Sequence, residues 1–296
     1  MTSSRTAALS VMGAAVLFGT SGTSLQLLAP DAPTPSVAAL RLSVGAVGLL
    51  IFVCARGGGR TLTALWRTPL VWLMGIAVAG YQVLFFFGTS HTGVAVGTLI
   101  SLGVAPFLAG IIGWLVHEGA PGWLWAGSTL VAIAGLSLLT AGSLDAGDPI
   151  GMIGAAGAGA CYAIYTVLGV RLSRAGHAPS AVLAASFTVG AAILLPAIFG
   201  TSWWLTPSGA LEVLWLGLIT TTAGYLLFSV GLRVLQPGHI ATLTLLEPAV
   251  ATVLGVVVLD EVVSGAGWLG CLLIFCALAL LGVGAGRRGA PMGATT

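Results

Sequence analysis

GVAVGTLISLGVAPFLAGIIGWLV (residues 93–116) and PGHIATLTLLEPAVATVLGVVVL (residues 237–259) decide how this chain folds. Between them they carry one acidic or basic side chain, Glu247, apart from a single histidine. Each exceeds the roughly 20 apolar residues that a helix needs to cross the hydrocarbon core of a bilayer. In lipid the backbone must satisfy its own N–H and C=O groups, so runs of this kind cross as helices. The two also share a layout. Thr98-Leu99 followed by Pro106 in the first recurs as Thr242-Leu243 followed by Pro248 in the second.

The likeness extends outward at a near-constant offset. Pro35-Ser36-Val37 with Val44-Gly45-Ala46 returns as Pro179-Ser180-Ala181 with Val189-Gly190-Ala191. Gly80-Tyr81 and Gly88 return as Gly224-Tyr225 and Gly231, and Glu118, Trp125, Gly127 and Leu130 as Glu261, Trp268, Gly270 and Leu273. Single matches mean little in a chain with 44 glycines, but their collinear order does not arise by chance.

Only 6% of the 296 residues are charged, 57% are hydrophobic and the mean hydropathy is +1.08. A soluble domain of this length does not sustain such a balance. Apolar runs punctuated by Pro, Gly and charge place ten spans, numbered one to ten, at 7–28, 35–54, 69–88, 93–116, 121–140, 149–169, 180–199, 210–232, 237–259 and 265–285. The expected fold is an all-α polytopic membrane protein. A first five-helix repeat covers 7–140, a second covers 149–285, and a cytoplasmic tail follows at 286–296. The first span is not read as a signal peptide, because its run continues to Leu28 and a proline follows the small-residue site. Five is odd, so the second repeat enters the membrane from the opposite face. Inverted repeats of this kind suit a carrier whose near-mirror halves rock about a central site near the midplane.

Orientation follows from arginine, since the chain has no lysine. With both termini cytoplasmic, Arg5, Arg56, Arg60, Arg67, Arg171, Arg174, Arg233, Arg287 and Arg288 all lie inside, as the positive-inside rule requires. Asp31, Asp145, Asp148, Asp260 and Glu261 fall outside. Most of the nine tryptophans, including Trp66, Trp72, Trp114 and Trp123, sit near span ends as an interfacial belt. Cys54, Cys161, Cys271 and Cys276 all fall within spans, where they read as buried thiols acting as small hydrophobes. His91, His117, His177 and His239 form no ligand cluster, and no metal or cofactor is expected.

The stretches Ala38-Ala39-Leu40-Arg41-Leu42, Ala160-Cys161-Tyr162-Ala163-Ile164-Tyr165-Thr166, and Leu245-Leu246-Glu247-Pro248 running to Asp260-Glu261 carry a resemblance. Each half resembles an EamA domain of the drug/metabolite transporter superfamily. The first repeat departs from the pattern with Ala105 where Glu247 would stand. The resemblance implies a ten-helix exporter of amino acids, metabolites or drugs in the bacterial inner membrane. Among its members the chain is most similar to exporters of aromatic amino acids.

Glu247 lies about ten residues into span nine, roughly 15 Å deep, where a charge must be neutral, paired or wetted. It is the one deep acid expected, and could receive a proton or a substrate ammonium. Its alternative role is to support the Pro248 kink, which frees a backbone carbonyl; Pro106 is the matching kink of span four. Arg41 lies about 9 Å in, able to snorkel outward or to bind a carboxylate. Tyr81, Gln82 and Phe85 of span three, Ser101 of span four, Tyr162 and Tyr165 of span six, and Thr221, Thr222 and Tyr225 of span eight are the expected cavity lining. Spans one, three, four, six, eight and nine would supply that lining, with five and ten peripheral. Ordinary helix packing would use the same residues.

An intramembrane serine protease is a remote alternative, from Gly19-Thr20-Ser21-Gly22 with His239 as base. A channel would show a ring of polar or charged residues. The expected partners are a small-molecule substrate, an amino acid or amphipathic metabolite, and membrane lipid. No nucleic-acid partner is expected, and a monomer is compatible with this reading.

Overall fold

A computed structural model of the protein describes residues 3–120, 122–141 and 148–287. Asp145, Arg288 and most of the tail therefore lie outside the described residues. The described chain is helical throughout. Proline is the first helical residue at Pro69, Pro149, Pro179, Pro207 and Pro237, where its missing N–H costs nothing and its fixed φ starts the turn. Side-chain caps add to this: Ser3 accepts from the Thr6 amide, Asp148 from Ile150 and Thr206 from Gly209, at 3.0–3.1 Å.

Nine helices have the length and apolarity to cross a bilayer among the described residues: Ser4–Leu28, Thr34–Ala55, Pro69–Val94, Val96–Leu115, Trp123–Thr140, Pro149–Arg174, Pro179–Ile198, Pro207–Val234 and Pro237–Leu259. Gly265–Arg287 forms the tenth span. This is an all-α, multi-pass membrane protein. Leu9, Ile51, Ile153 and Val257 are among the large apolar side chains on its outer surface, as lipid contact demands.

Several details depart from the sequence reading. Helix runs past 88 to Gly93, where φ 79° and ψ 157° lie in a region that only glycine occupies readily, so the turn between spans three and four falls there. A short helix, Gly59–Trp66, precedes span three and tucks Leu62 and Leu65 inward. Span eight begins at Pro207 and widens into a π-helix over Trp215–Ala223. Span nine is two helices, Pro237–Leu243 and Leu246–Leu259, joined at Thr244-Leu245. Proline at 248 cannot donate to the Thr244 carbonyl, so the break falls one turn before it. The Glu247 amide takes that carbonyl instead, at 3.0 Å.

Helix contacts follow a two-fold pattern. Span six packs on spans three and four, as span one packs on eight and nine. Span two meets eight as span seven meets three, while two with seven, four with nine, and five with ten pair across the pattern's own axis. Glycine makes the closest of these approaches possible. A Cβ on Gly88 would sit 2.7 Å from the Ala155 backbone nitrogen, and one on Gly135 2.7 Å from the Gly270 carbonyl oxygen. The cysteines differ from expectation: Cys271 is buried, but Cys54 and Cys276 are exposed on the helix surfaces, and all four are free thiols. Trp125 also leaves the belt, because its ring packs between Gly110 and Gly238.

Gly88→Val should therefore destabilise the protein by about 1–3 kcal/mol, the usual cost of overpacking. Thermal melts in detergent check this. Gly127→Ala, with nothing within 4 Å of its added methyl, should leave the melt unchanged.

Candidate functional site

A cavity of about 720 Å³ lies between the two halves. Its lining comes from the halves of the spans nearer the arginine-poor ends: Phe18 to Leu25 of span one, Tyr81 to Phe86 of span three, Leu136 to Thr140 of span five and Ala251-Thr252 of span nine. The cavity therefore opens towards that end. Span five, expected at the periphery, also contributes through Leu136 and Leu139, as does span two through Val37 and Arg41. Span ten contributes none of the lining residues.

All four tyrosines of the chain converge at the floor. Tyr81 meets Tyr162 edge-on at 5.9 Å, Tyr162 meets Tyr165 at 4.8 Å, and the Tyr165 and Tyr225 hydroxyls lie 3.4 Å apart. Tyr225 is fixed by Phe18 at 4.9 Å and Phe187 at 4.4 Å, while Tyr81 stacks on Phe85 at 5.7 Å. The Tyr162 hydroxyl pairs with Thr244 at 2.8 Å, beside the break in span nine. That contact ties the aromatic floor to the break between the two helices of span nine.

Of the residues singled out in the sequence, Arg41, Tyr81, Gln82, Phe85, Tyr162, Tyr165, Tyr225, Glu247 and Pro248 line this space. Arg41 and Glu247 face it without forming an ion pair with each other; the one ion pair within 4.0 Å among the described residues is Arg174 with Glu118. Ser101, Thr221 and Thr222 do not line it. Ser101 is fully buried and donates to the Thr98 carbonyl at 3.3 Å, with its own carbonyl against Gly159. Thr221 donates to the Leu216 carbonyl at 2.8 Å and Thr222 to Gly217 at 2.9 Å, both five residues back. The π-helix turns these threonines towards Gly45 and Gly48 of span two, so the expected face of span eight carries only Tyr225 into the cavity. Pro106 is buried within an unbroken helix and makes no counterpart to the break before Pro248.

Sequence reasoning missed Glu212. A boundary at 210 puts it near a span end, but with span eight starting at Pro207 it is fully buried. The Thr206-Pro207 cap signal was the clue. A second acid is thus enclosed within the protein, against span one.

Towards the arginine-rich end the halves are closed. Arg174 Nη1 donates to the Glu118 carbonyl at 2.6 Å and to its carboxylate at 3.1 Å, and Nη2 donates to the Leu235 carbonyl at 3.1 Å. Above this, Thr129 and Thr242 pair at 2.8 Å.

The protease arrangement is absent. Gly19 packs against the Glu247 carbonyl, while His239 lies eight residues earlier on span nine, about 12 Å along the axis. Ser21, two residues beyond Gly19, lies further still from His239.

The chain matches the EamA-like transporter family over residues 5–141 and again over 149–283. It is 38% identical to the uncharacterized transporter YwfM of Bacillus subtilis, covering 92% of each chain. It is 29% identical to the threonine/homoserine exporter RhtA of Salmonella typhimurium, over 89% of this chain and 86% of that one. A solved crystal structure at 23% identity superposes with a TM-score of 0.80, covering 96% of this chain and 99% of the other, and so shares its fold. With both halves matching the family model and its relatives named as transporters, this chain is a transporter and not an enzyme, and it belongs to the EamA-like transporter family.

Proposed function

We propose that this protein exports neutral amino acids, small or aromatic, across the bacterial inner membrane by alternating access between two inverted five-helix repeats. The observation that carries the reading is a cavity with one cation, Arg41, and one acid within its wall, Glu247, over a floor of four tyrosines, with a second acid, Glu261, past the end of span nine at its rim. A zwitterion has the complementary charges: its carboxylate suits the planar fork of Arg41, and its ammonium suits Glu247. The rings give a side chain apolar contact, and their hydroxyls hold polar atoms in place. The RhtA relatives are exporters of threonine and homoserine. The aromatic floor, with a resemblance to the aromatic amino-acid exporter YddG, supports larger side chains as well.

In this reading the arginine-rich end is cytoplasmic, both termini lie inside, and the cavity faces outward with its inner exit shut by Arg174. Odd repeats make the second half an upside-down copy, so opening at one end and closing at the other exchange similar contacts. A second reading, export of amphipathic cations, draws on the same tyrosine floor, since cations bind to aromatic faces near an acid.

Reconstituted protein in liposomes, assayed with a panel of labelled amino acids and cationic drugs, separates these readings. Glu247→Gln should slow the flux of ammonium-bearing substrates, and unchanged flux at every pH would remove that role. Tyr81→Ala and Tyr225→Ala should reorder substrate preference; equal losses for all substrates with poor expression would mark them as packing residues. Arg174→Ala should raise thiol labelling of a cysteine placed at Thr242, approached from the arginine-rich side, by about two- to fivefold. That is the shift from roughly 0.5–1 kcal/mol for a part-exposed ion pair, and unaltered labelling would show that the contact does not hold the exit shut.

A further inference from the structure

Glu212 is fully buried and does not line the cavity. Its Oε1 accepts from Ser24 Oγ at 3.1 Å, and its Oε2 has no hydrogen-bond partner. A bare carboxylate in an apolar wall is costly as an anion unless something occupies the empty lone pairs. The route to such an occupant is short. Ser24 also reaches the Ser21 carbonyl at 3.2 Å, and Ser21 lines the cavity with its own Oγ buried and unbonded. The carboxyl thus sits one hydroxyl behind the cavity wall.

The neighbours narrow the choice of occupant. Span one brings Ser21 and Ser24, and the Trp203–Leu205 turn brings indoles and a leucine, none of them charged. Span two packs on the same stretch of span eight and carries Arg41 at the cavity side. Arg41 is the charged group that span two brings to this side of the cavity, and it lines the same space as Glu247. Arg41 forms an ion pair with neither acid, so its guanidinium is open to a solute carboxylate.

We propose that Glu212 is a proton-binding site that sets how strongly Arg41 holds a substrate carboxylate. A proton entering from the cavity side occupies Oε2, the oxygen left without a partner, while Ser24 keeps its hydrogen bond to Oε1. With the proton on, Glu212 makes no claim on Arg41, which is free for the solute. With the proton off, the carboxylate draws Arg41 towards span eight and the solute loses its partner. Substrate and proton therefore favour each other's binding, and the coupling is reciprocal. The substrate half of this inference rests on the amino-acid reading above; the proton half does not.

Infrared difference spectra of the detergent-solubilised protein, titrated with pH, read a neutral carboxyl directly. In a Glu247→Gln background, which removes the other deep acid's band, the protein should show a carboxyl band that disappears as pH rises; adding Glu212→Gln should abolish it, and adding Ser24→Ala should move its midpoint. Over the same transition, threonine binding measured by calorimetry should weaken about tenfold with rising pH, a typical coupling factor. Glu212→Gln should bind at the tight level at every pH. A band that survives Glu212→Gln in the Glu247→Gln background, or a Glu212→Gln protein that keeps the wild-type pH dependence of binding, overturns the proposal. So does binding that follows sodium with no carboxyl band, which assigns the position to a metal cation. Should Glu212→Gln fail to fold, an unmoved midpoint in Ser24→Ala overturns the proposal in its place. If wild type binds no amino acid at all, the transport reading fails instead, and the band still decides whether Glu212 holds a proton.

Discussion

Backbone hydrogen bonding in a medium without water governs this molecule. A helix in lipid cannot leave an N–H or C=O open to its surroundings, so an irregular stretch survives only where protein or a wetted cavity satisfies it. Three irregular stretches interrupt the long spans. Gly93 turns the chain at a span end, where water is at hand. The other two, the π-helix at Trp215–Ala223 and the break at Thr244-Leu245, lie at the cavity. Both are stabilised locally: threonine hydroxyls bond to carbonyls in the widened turn, and Tyr162 with the Glu247 amide caps the break.

These irregularities break the symmetry of the duplication where a solute would need it broken. Tyr81 and Tyr225 are matched positions and both reach the floor, so the aromatic surface keeps the two-fold relation. The charges do not. Glu247 faces the cavity from a broken helix, whereas Ala105 occupies its counterpart in an unbroken one. Arg41 likewise has an alanine, Ala185, at the matched position of span seven. A symmetric frame rocks evenly, and an asymmetric set of charges gives a zwitterion one orientation within it.

How much was legible in the sequence follows from the same physics. Span number, the duplication and the deep placement of Arg41, Tyr81, Tyr225 and Glu247 could be read because length, apolarity and proline leave marks that lipid does not allow to be overridden. Thr221 and Thr222 were misplaced because their direction depends on the turn count through the π-helix, which periodicity at 3.6 residues cannot reveal. Glu212 was missed for a smaller reason. Its span starts three residues earlier than hydropathy suggests, and that shift alone moves an acid from the rim into the wall. Spans two and five line the cavity because it flares towards one end, a property of the conformational state and not of any single helix.

The state itself is held lightly. The closed end relies on Arg174, which bridges the loop after span four to the end of span eight through three hydrogen bonds. Its side chain is 34% exposed and that of Glu118 12%, so water and salt screen the pair, and such a contact contributes at most about 1 kcal/mol. Most of the closure must then come from packing such as Trp125 between Gly110 and Gly238, and Pro237 against Gly113. Packing of this kind is what inverted halves can exchange from one end to the other with little net change in energy. A weak polar latch over exchangeable apolar packing biases the molecule without locking it, and a carrier has to be able to leave each of its states.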